Sequence, residues 1–238
     1  MSSTPTAVII GVGPGLGMSM ARRFGSEGFR VALVSRNDAR HESYLKDLAA
    51  QGIDATAHAA DVADRARLKS VLADIASDGD IELAYYGPAS AHHPIPLTEM
   101  DADTARSAFD WIWPAVDMVH DVLPAMLARG SGALLFAGGL SSVRPMPMLG
   151  HLALPSAALR NYAVTLHAAL ADRGVYAGTL TIGGLIERGD IHSMVTADPD
   201  RYGSPDGHTL DPDQLADTAW DMYHSRDRAE EVFDVFSG

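Results

Sequence analysis

Short apolar runs alternate with longer amphipathic stretches along the whole chain. Ala7-Val8-Ile9-Ile10 is a continuous branched run, as expected of a strand buried on both faces. Met18, Met20, Ala21 and Phe24 then follow a helical pattern. Residues 30–35 form a second buried strand, with the turn-forming Asn37-Asp38 just beyond it. The pattern next predicts a helix over 39–51 stopped by Gly52, a strand over 53–59, and a helix over 64–77 with Leu68, Val71, Leu72 and Ile75 on one face. A fourth strand spans 81–86. Residues 103–129 read as one long helical region that Pro114 must kink or locally disrupt, because a mid-helix proline lacks the amide and clashes with the preceding turn. After Gly130-Ser131-Gly132 come a strand over 133–137, a helix over 155–171 and a strand over 176–182. Asp211-Pro212 opens a helix running to 223, and 232–236 supplies a last strand. This order predicts an α/β fold, a doubly wound parallel sheet with helices on both faces and right-handed crossovers.

The segment 184–210 breaks the alternation. Gly189, Pro199, Gly203, Pro205 and Gly207 interrupt any period, and so long an irregular stretch makes it a candidate substrate-binding lid on what reads as one domain over 1–238.

Between the first strand and its helix lies Gly11-Val12-Gly13-Pro14-Gly15-Leu16-Gly17. Gly11, Gly15 and Gly17 lack a Cβ, so the backbone can turn sharply, approach a pyrophosphate and pack the helix closely on the sheet. The amides at the start of that helix, around Leu16, are free to meet phosphate. A tight turn without a ligand is the alternative. Where the second strand ends, Ser35-Arg36 offers a guanidinium suited to the 2′-phosphate of NADP(H); an acidic residue there would suit the ribose of NAD. An exposed loop arginine is the plain reading. Asp61-Val62 ends the third strand, where the carboxylate could accept the adenine amine or cap the next helix.

Composition narrows the field. The formal net charge of −13 with no basic stripe argues against a nucleic-acid partner, and 238 residues that are 47% hydrophobic suffice for one sizeable core. Cysteine is absent, which excludes thiolate chemistry. No apolar run reaches membrane-spanning length, and the first residues lack the pattern of a signal peptide, so the expectation is a cytoplasmic protein without a membrane partner.

Together these features resemble the short-chain dehydrogenase/reductase family over nearly the whole chain. The carriers are Gly11, Gly15 and Gly17 at that family's spacing, Asp61-Val62, Leu123-Pro124-Ala125-Met126, the strand Gly132-Ala133-Leu134-Leu135-Phe136, and Gly183-Gly184 where the family has Pro-Gly. The resemblance implies a seven-stranded Rossmann-like sheet, a nicotinamide cofactor, and a homodimer or homotetramer. It also exposes departures. The family's asparagines fall within Tyr85-Tyr86-Gly87-Pro88-Ala89 and near Trp111, its catalytic serine falls on Gly138-Gly139, and its tyrosine and lysine fall on Leu152 and Ser156. No lysine follows Lys69. That tyrosine is the family's proton donor, and loss of a positioned acid typically removes a factor of about 10² to 10⁴.

Candidate replacements are Ser141 with its neighbour Ser142, and His151, which could instead be a polar residue near a helix start. His92-His93 lacks further ligands at metal spacing, so no metal is expected. Tyr85 and Tyr86 could bring phenols to the cofactor or simply pack. Trp111, Met146, Met148, Leu149 and Leu152 would make a pocket for a small hydrophobic substrate, or belong to core and interface. Two functions fit: hydride transfer from NADP(H) to an activated carbonyl or iminium acceptor, and a redox-silent cyclase, isomerase or regulatory subunit on the same fold.

Overall fold

The computed structural model describes residues 4–88 and 95–236. The elements run β1 (Thr6–Ile10), α1 (Leu16–Ser26), β2 (Arg30–Ser35), α2 (His41–Ala50), β3 (Ala55–Ala59), α3 (Arg65–Asp78), β4 (Ile81–Tyr86), α4 (Ala102–Ala108) and α5 (Trp113–Arg129). Then follow β5 (Gly132–Gly139), α6 (Gly150–Leu170), β6 (Val175–Gly183), β7 (Leu185–Ile186), α7 (Asp190–Ala197), α8 (Pro199–Tyr202), β8 (Thr209–Leu210), α9 (Pro212–Ser225) and β9 (Glu230–Asp234). The main sheet has seven strands in the order β3-β2-β1-β4-β5-β6-β9, and every neighbouring pair is parallel. All strand carboxyl ends therefore share one edge, and the order reverses between β1 and β4, where an open parallel sheet has its ligand crevice.

Alternate residues of the central strands feed two separate cores. Val8, Ile10, Tyr86, Leu134 and Phe136 pack with Leu68, Val71, Met118, Val122 and Leu159 on one face. On the other face Ile9, Leu33, Tyr85 and Leu135 meet Met20, Phe24, Leu48 and Met222. Full burial of each such side chain contributes about 1.5–3 kcal/mol, so the two layers fix the sheet that positions the cleft.

The boundaries differ from the sequence pattern where packing outweighs local preference. Residues 103–129 hold two helices, α4 and α5. Pro114 lies in the first turn of α5, where its missing amide needs no partner, and so begins a helix instead of kinking one. Helix α6 starts at Gly150 and carries Pro155 inside it. Its early turns are held from outside: a Cβ on Gly150 would lie 2.4 Å from Leu97 Cα, and His151, Pro155 and Ser156 are all buried. Strand β5 continues through Gly138 and Gly139 because the ladder to β6 runs on to Gly139 opposite Ile182. The last strand falls at 230–234, where Glu230 is held by Arg160 and Thr181.

Residues 184–210 also contain regular structure. The breakers bound short elements: α7 lies between Gly189 and Pro199, and β7 pairs with β8 in a small parallel ladder. Among the described residues no helix is long and apolar enough to cross a membrane, and no cluster of acidic and histidine side chains could hold a metal ion. His92 and His93 lie outside the described residues.

Candidate active site

The glycine turn is stitched to its neighbours by backbone. Gly11 and Val12 donate to the Val34 carbonyl at 2.9 and 3.1 Å, and Gly87 donates to Ile10 at 3.0 Å. Gly11 has φ +86°, and a Cβ there would stand 2.4 Å from the Pro88 nitrogen, so both conformation and space require glycine. At Gly17 a Cβ would lie 2.8 Å from Val12 Cα, which explains how closely α1 seats on the turn. Among the described residues, a Cβ on Gly13 would meet nothing within 4 Å.

Helix α1 then presents its amino end to that open space. Its first turn holds no acidic residue and has no side-chain cap. Met18 and Ser19 donate back to Gly13 and Gly15, while the Leu16 and Gly17 amides make no hydrogen bond among the described residues. Unpaired amides at the positive end of a helix dipole attract an anion.

At the end of β2, Ser35 Oγ donates to the Asn37 carbonyl at 2.9 Å and lies 2.8 Å from His41 Nε2. Its one proton is directed at Asn37, so it accepts from the imidazole, which fixes the proton of His41 on Nε2. Arg36 is exposed and forms no ion pair or hydrogen bond among the described residues. Beyond β3, Asp61 is exposed and accepts from the Ala63 amide at 3.0 Å, whereas Asp64 caps α3 by accepting from Arg67. The capping role therefore belongs to Asp64, and Val62 packs partly against the core.

The phenols of β4 are packing residues. Tyr85 and Tyr86 are 1% and 0% exposed, and burial pushes both hydroxyls above their ordinary pKa. Tyr86 donates to the Trp111 carbonyl, and Tyr85 lies beneath Gly87.

At the end of β5 hydroxyls gather. A Cβ on Gly139 would be 3.3 Å from Ser156 Oγ and 3.5 Å from Ser141 Oγ, so these two side chains flank the same glycine. Ser156, on α6, is only 3% exposed. Ser142 Oγ is buried with no partner among the described residues. His151, 6% exposed, accepts from the Ile95 amide at Nδ1 at 3.1 Å, which puts its proton on Nε2 and ties α6 to the segment before α4. The chain thus brings Ser141 and Ser156 together and gives one nitrogen of His151 to the backbone. Nothing in the local sequence marks Ser156 as a polar group of the site; its place beside Gly139 emerges only from the fold.

Past β6 the backbone returns across the glycine turn. A Cβ on Gly15 would lie 3.1 Å from the Glu187 carbonyl and from Gly189. Arg188 has φ +64° and reaches Asp213 at 2.7 Å and Asp211 at 3.4 Å, while Ser19 of α1 donates to Asp213 at 2.6 Å. Burial alone would raise the Asp213 pKa. The Ser19 and Arg188 hydrogen bonds outweigh it and hold the carboxyl below its ordinary range. Asp190 pairs with Arg40 through two bonds of 2.8 Å. No local sequence signal marks these long-range pairs.

The residues present fit a dinucleotide. Among the described residues, the free amides at α1 and the open space at Gly13 suit a pyrophosphate in charge and donor type.

Comparison with known proteins agrees on the fold. A family model described as short chain dehydrogenase matches residues 5–187. Inactive hydroxysteroid dehydrogenase-like protein 1 from Homo sapiens is 25% identical over 178 residues, covering 73% of this chain and 54% of that protein. Very-long-chain 3-oxoacyl-CoA reductase from Neurospora crassa is 28% identical over 174 residues, covering 71% and 52%. The chain therefore spans about half the length of these curated relatives. Among solved structures, L-sorbose reductase from Gluconobacter frateurii, complexed with NADPH and L-sorbose, has a TM-score of 0.84 at 20% identity over 98% of this chain and 96% of that one. A metagenomic short-chain oxidoreductase in complex with NADP has a TM-score of 0.79 at 18% identity over 98% of each chain. The structural likeness establishes the shared fold, and the family model accounts for most of the sequence: the chain belongs to the short-chain dehydrogenase family.

Proposed function

We propose that this protein binds NADP(H) and transfers hydride to an acceptor that needs no proton from a tyrosine, such as an iminium ion or a strongly activated carbonyl. What carries the reading is the contrast between an anion-ready glycine turn followed by Arg36 at the end of β2 and a reacting end where the resemblance sets Gly138-Gly139, Leu152 and Ser156 at the family's serine, tyrosine and lysine positions.

When bound, NADPH supplies the hydride. The Gly15, Leu16 and Gly17 backbone would hold the pyrophosphate, Ser35 and Arg36 the 2′-phosphate end, and Asp61 and Val62 the adenine. Ser141 and Ser156 would offer hydroxyl hydrogen bonds to the acceptor. A neutral hydroxyl orients a heteroatom but is a poor proton donor at neutral pH, which suits an acceptor that is already cationic. The apolar side chains of Met148 and Leu152 favour a hydrophobic substrate. Exposed Trp113 and Val116 on α5 and Leu154 on α6 offer apolar contacts to a second copy, in keeping with a homodimer or homotetramer.

NADPH consumption should be measured with a cyclic iminium and with an unactivated ketone of the same carbon skeleton. The proposal expects turnover of the iminium and a rate lower by about 10² or more for the ketone. Absence of NADPH oxidation with all activated acceptors would overturn it. That outcome would favour the second reading, a redox-silent role, which the missing tyrosine and lysine and the inactive designation of the human relative also support.

A further inference from the structure

Arg65 joins α3 to α5 by donating from Nε and Nη2 to the two carboxylate oxygens of Asp117 at 2.5 and 2.6 Å. Both helices run back from the carboxyl to the amino edge of the parallel sheet, so one turn further on their facing positions are Lys69 and Asp121. Equivalent charges at an equivalent place should pair again. They do not: neither side chain has an ion pair or hydrogen bond among the described residues. Both instead line a cleft of about 200 Å³ between the two helices. The cleft is open because the facing stripes are small, with Ala73 and Ala76 following Lys69 on α3 and Ala125 following Asp121 on α5. Leu72, Ile81 and Val122 form its apolar floor, each no more than 5% exposed. Arg129 closes the far end and is already engaged, with Asp80 at 3.2 Å and the Ile81 carbonyl at 2.8 Å.

We infer that this cleft binds a small zwitterion with an apolar body, of the class of apolar α-amino acids. The carboxylate meets Lys69, the ammonium meets Asp121, and the hydrocarbon side chain lies on Leu72, Ile81 and Val122. Size agrees, since a cavity of about 150 Å³ holds benzene and sites for drug-sized molecules begin at about 300 Å³. Charge agrees as well. A plain carboxylate would sit beside an unanswered Asp121, and a plain amine beside an unanswered Lys69. The site is separate from the proposed cofactor cleft: Ile81 begins β4 at the amino edge of the sheet, whereas Gly87, beyond the other end of β4, donates to Ile10 beside the glycine turn. Trp113 and Val116 lie about opposite Asp121 and Ala125 round α5, so a second copy held on that apolar side would leave the cleft open. The inference is therefore independent of the NADP(H) reading.

The test titrates the isotope-labelled full chain with L-valine, L-leucine and L-phenylalanine, and with 4-methylpentanoate and 3-methylbutylamine, which each keep one of leucine's charges. Amide shifts are followed by NMR. At least one amino acid should shift the amides of α3 and α5 around the cleft and saturate within about 10 mM. Both singly charged compounds should bind about fivefold or more weakly than L-leucine. Lys69→Met should remove the advantage of L-leucine over the amine, and Asp121→Asn its advantage over the carboxylate. Ala125→Leu fills the cleft from an exposed position and should abolish binding with an unchanged circular dichroism spectrum. No shift at the cleft with any of the three amino acids would overturn the inference, as would a singly charged compound binding as tightly as L-leucine or undiminished binding to folded Ala125→Leu.

Discussion

At the β1–β2 edge of the cleft, the groups that shape the site belong to the backbone: the Gly11 and Val12 amides bound to Val34, the free amides of Leu16 and Gly17, and the contact of Gly11 with Pro88. At the β5–α6 edge they are side chains: Ser141 and Ser156 beside Gly139, and His151 bound to Ile95. Backbone geometry tolerates little change, because a single Cβ at Gly11 collides with main chain. Side-chain chemistry can be exchanged on an unchanged scaffold. On the proposed reading, the place where a dinucleotide lies is set by backbone, while the groups that would move a proton are side chains that can differ on the same fold.

The largest effect should come from reinstalling those groups. Leu152→Tyr combined with Ser156→Lys supplies an acid and a cation to lower its pKa, and should raise ketone reduction by about 10²-fold or more if the altered protein remains folded. Folding is checked by circular dichroism and reaction by NADPH consumption. A folded double variant without gain would show that the reacting end differs in more than its acid.

A smaller effect probes the other edge. Gly11→Ala must place a Cβ against Pro88 in a positive-φ conformation and should cost about 1–3 kcal/mol in denaturant unfolding. Gly13→Ala, where no described residue lies within 4 Å of the added Cβ, should leave stability nearly unchanged. Equal stability of the two variants would contradict the packing described.

What the sequence disclosed follows the same division. The glycine turn, β2 and β4 were legible because each is local: branched runs dictate strands, and a cluster of glycines dictates a turn. The early turns of α6 were hidden because Gly150 and Pro155 are poor helix formers, held by packing from Leu97. In 184–210 the glycines and prolines look irregular along the sequence but bound short elements such as α7. The break between α4 and α5 is only partly legible, since Pro114 marks the disturbance but not that a new helix begins there. At the site, Arg36 was visible as a cation after a strand. Arg40 gave no such sign, because its partner Asp190 is remote in sequence, and the φ of Arg188 has no sequence marker. Ser156 acquires meaning only when the fold sets it beside Gly139.

The most direct test of the central claim is calorimetric titration of the wild-type protein and Arg36→Asp with NADPH and with NADH. Wild-type protein should bind NADPH more tightly than NADH. Arg36→Asp should weaken NADPH by about tenfold or more while leaving NADH within about twofold, because the proposal assigns the guanidinium to the 2′-phosphate that NADH lacks. Equal losses for both cofactors, or no binding of either by the wild-type protein, would contradict the claim that this edge of the cleft is a working NADP(H) site.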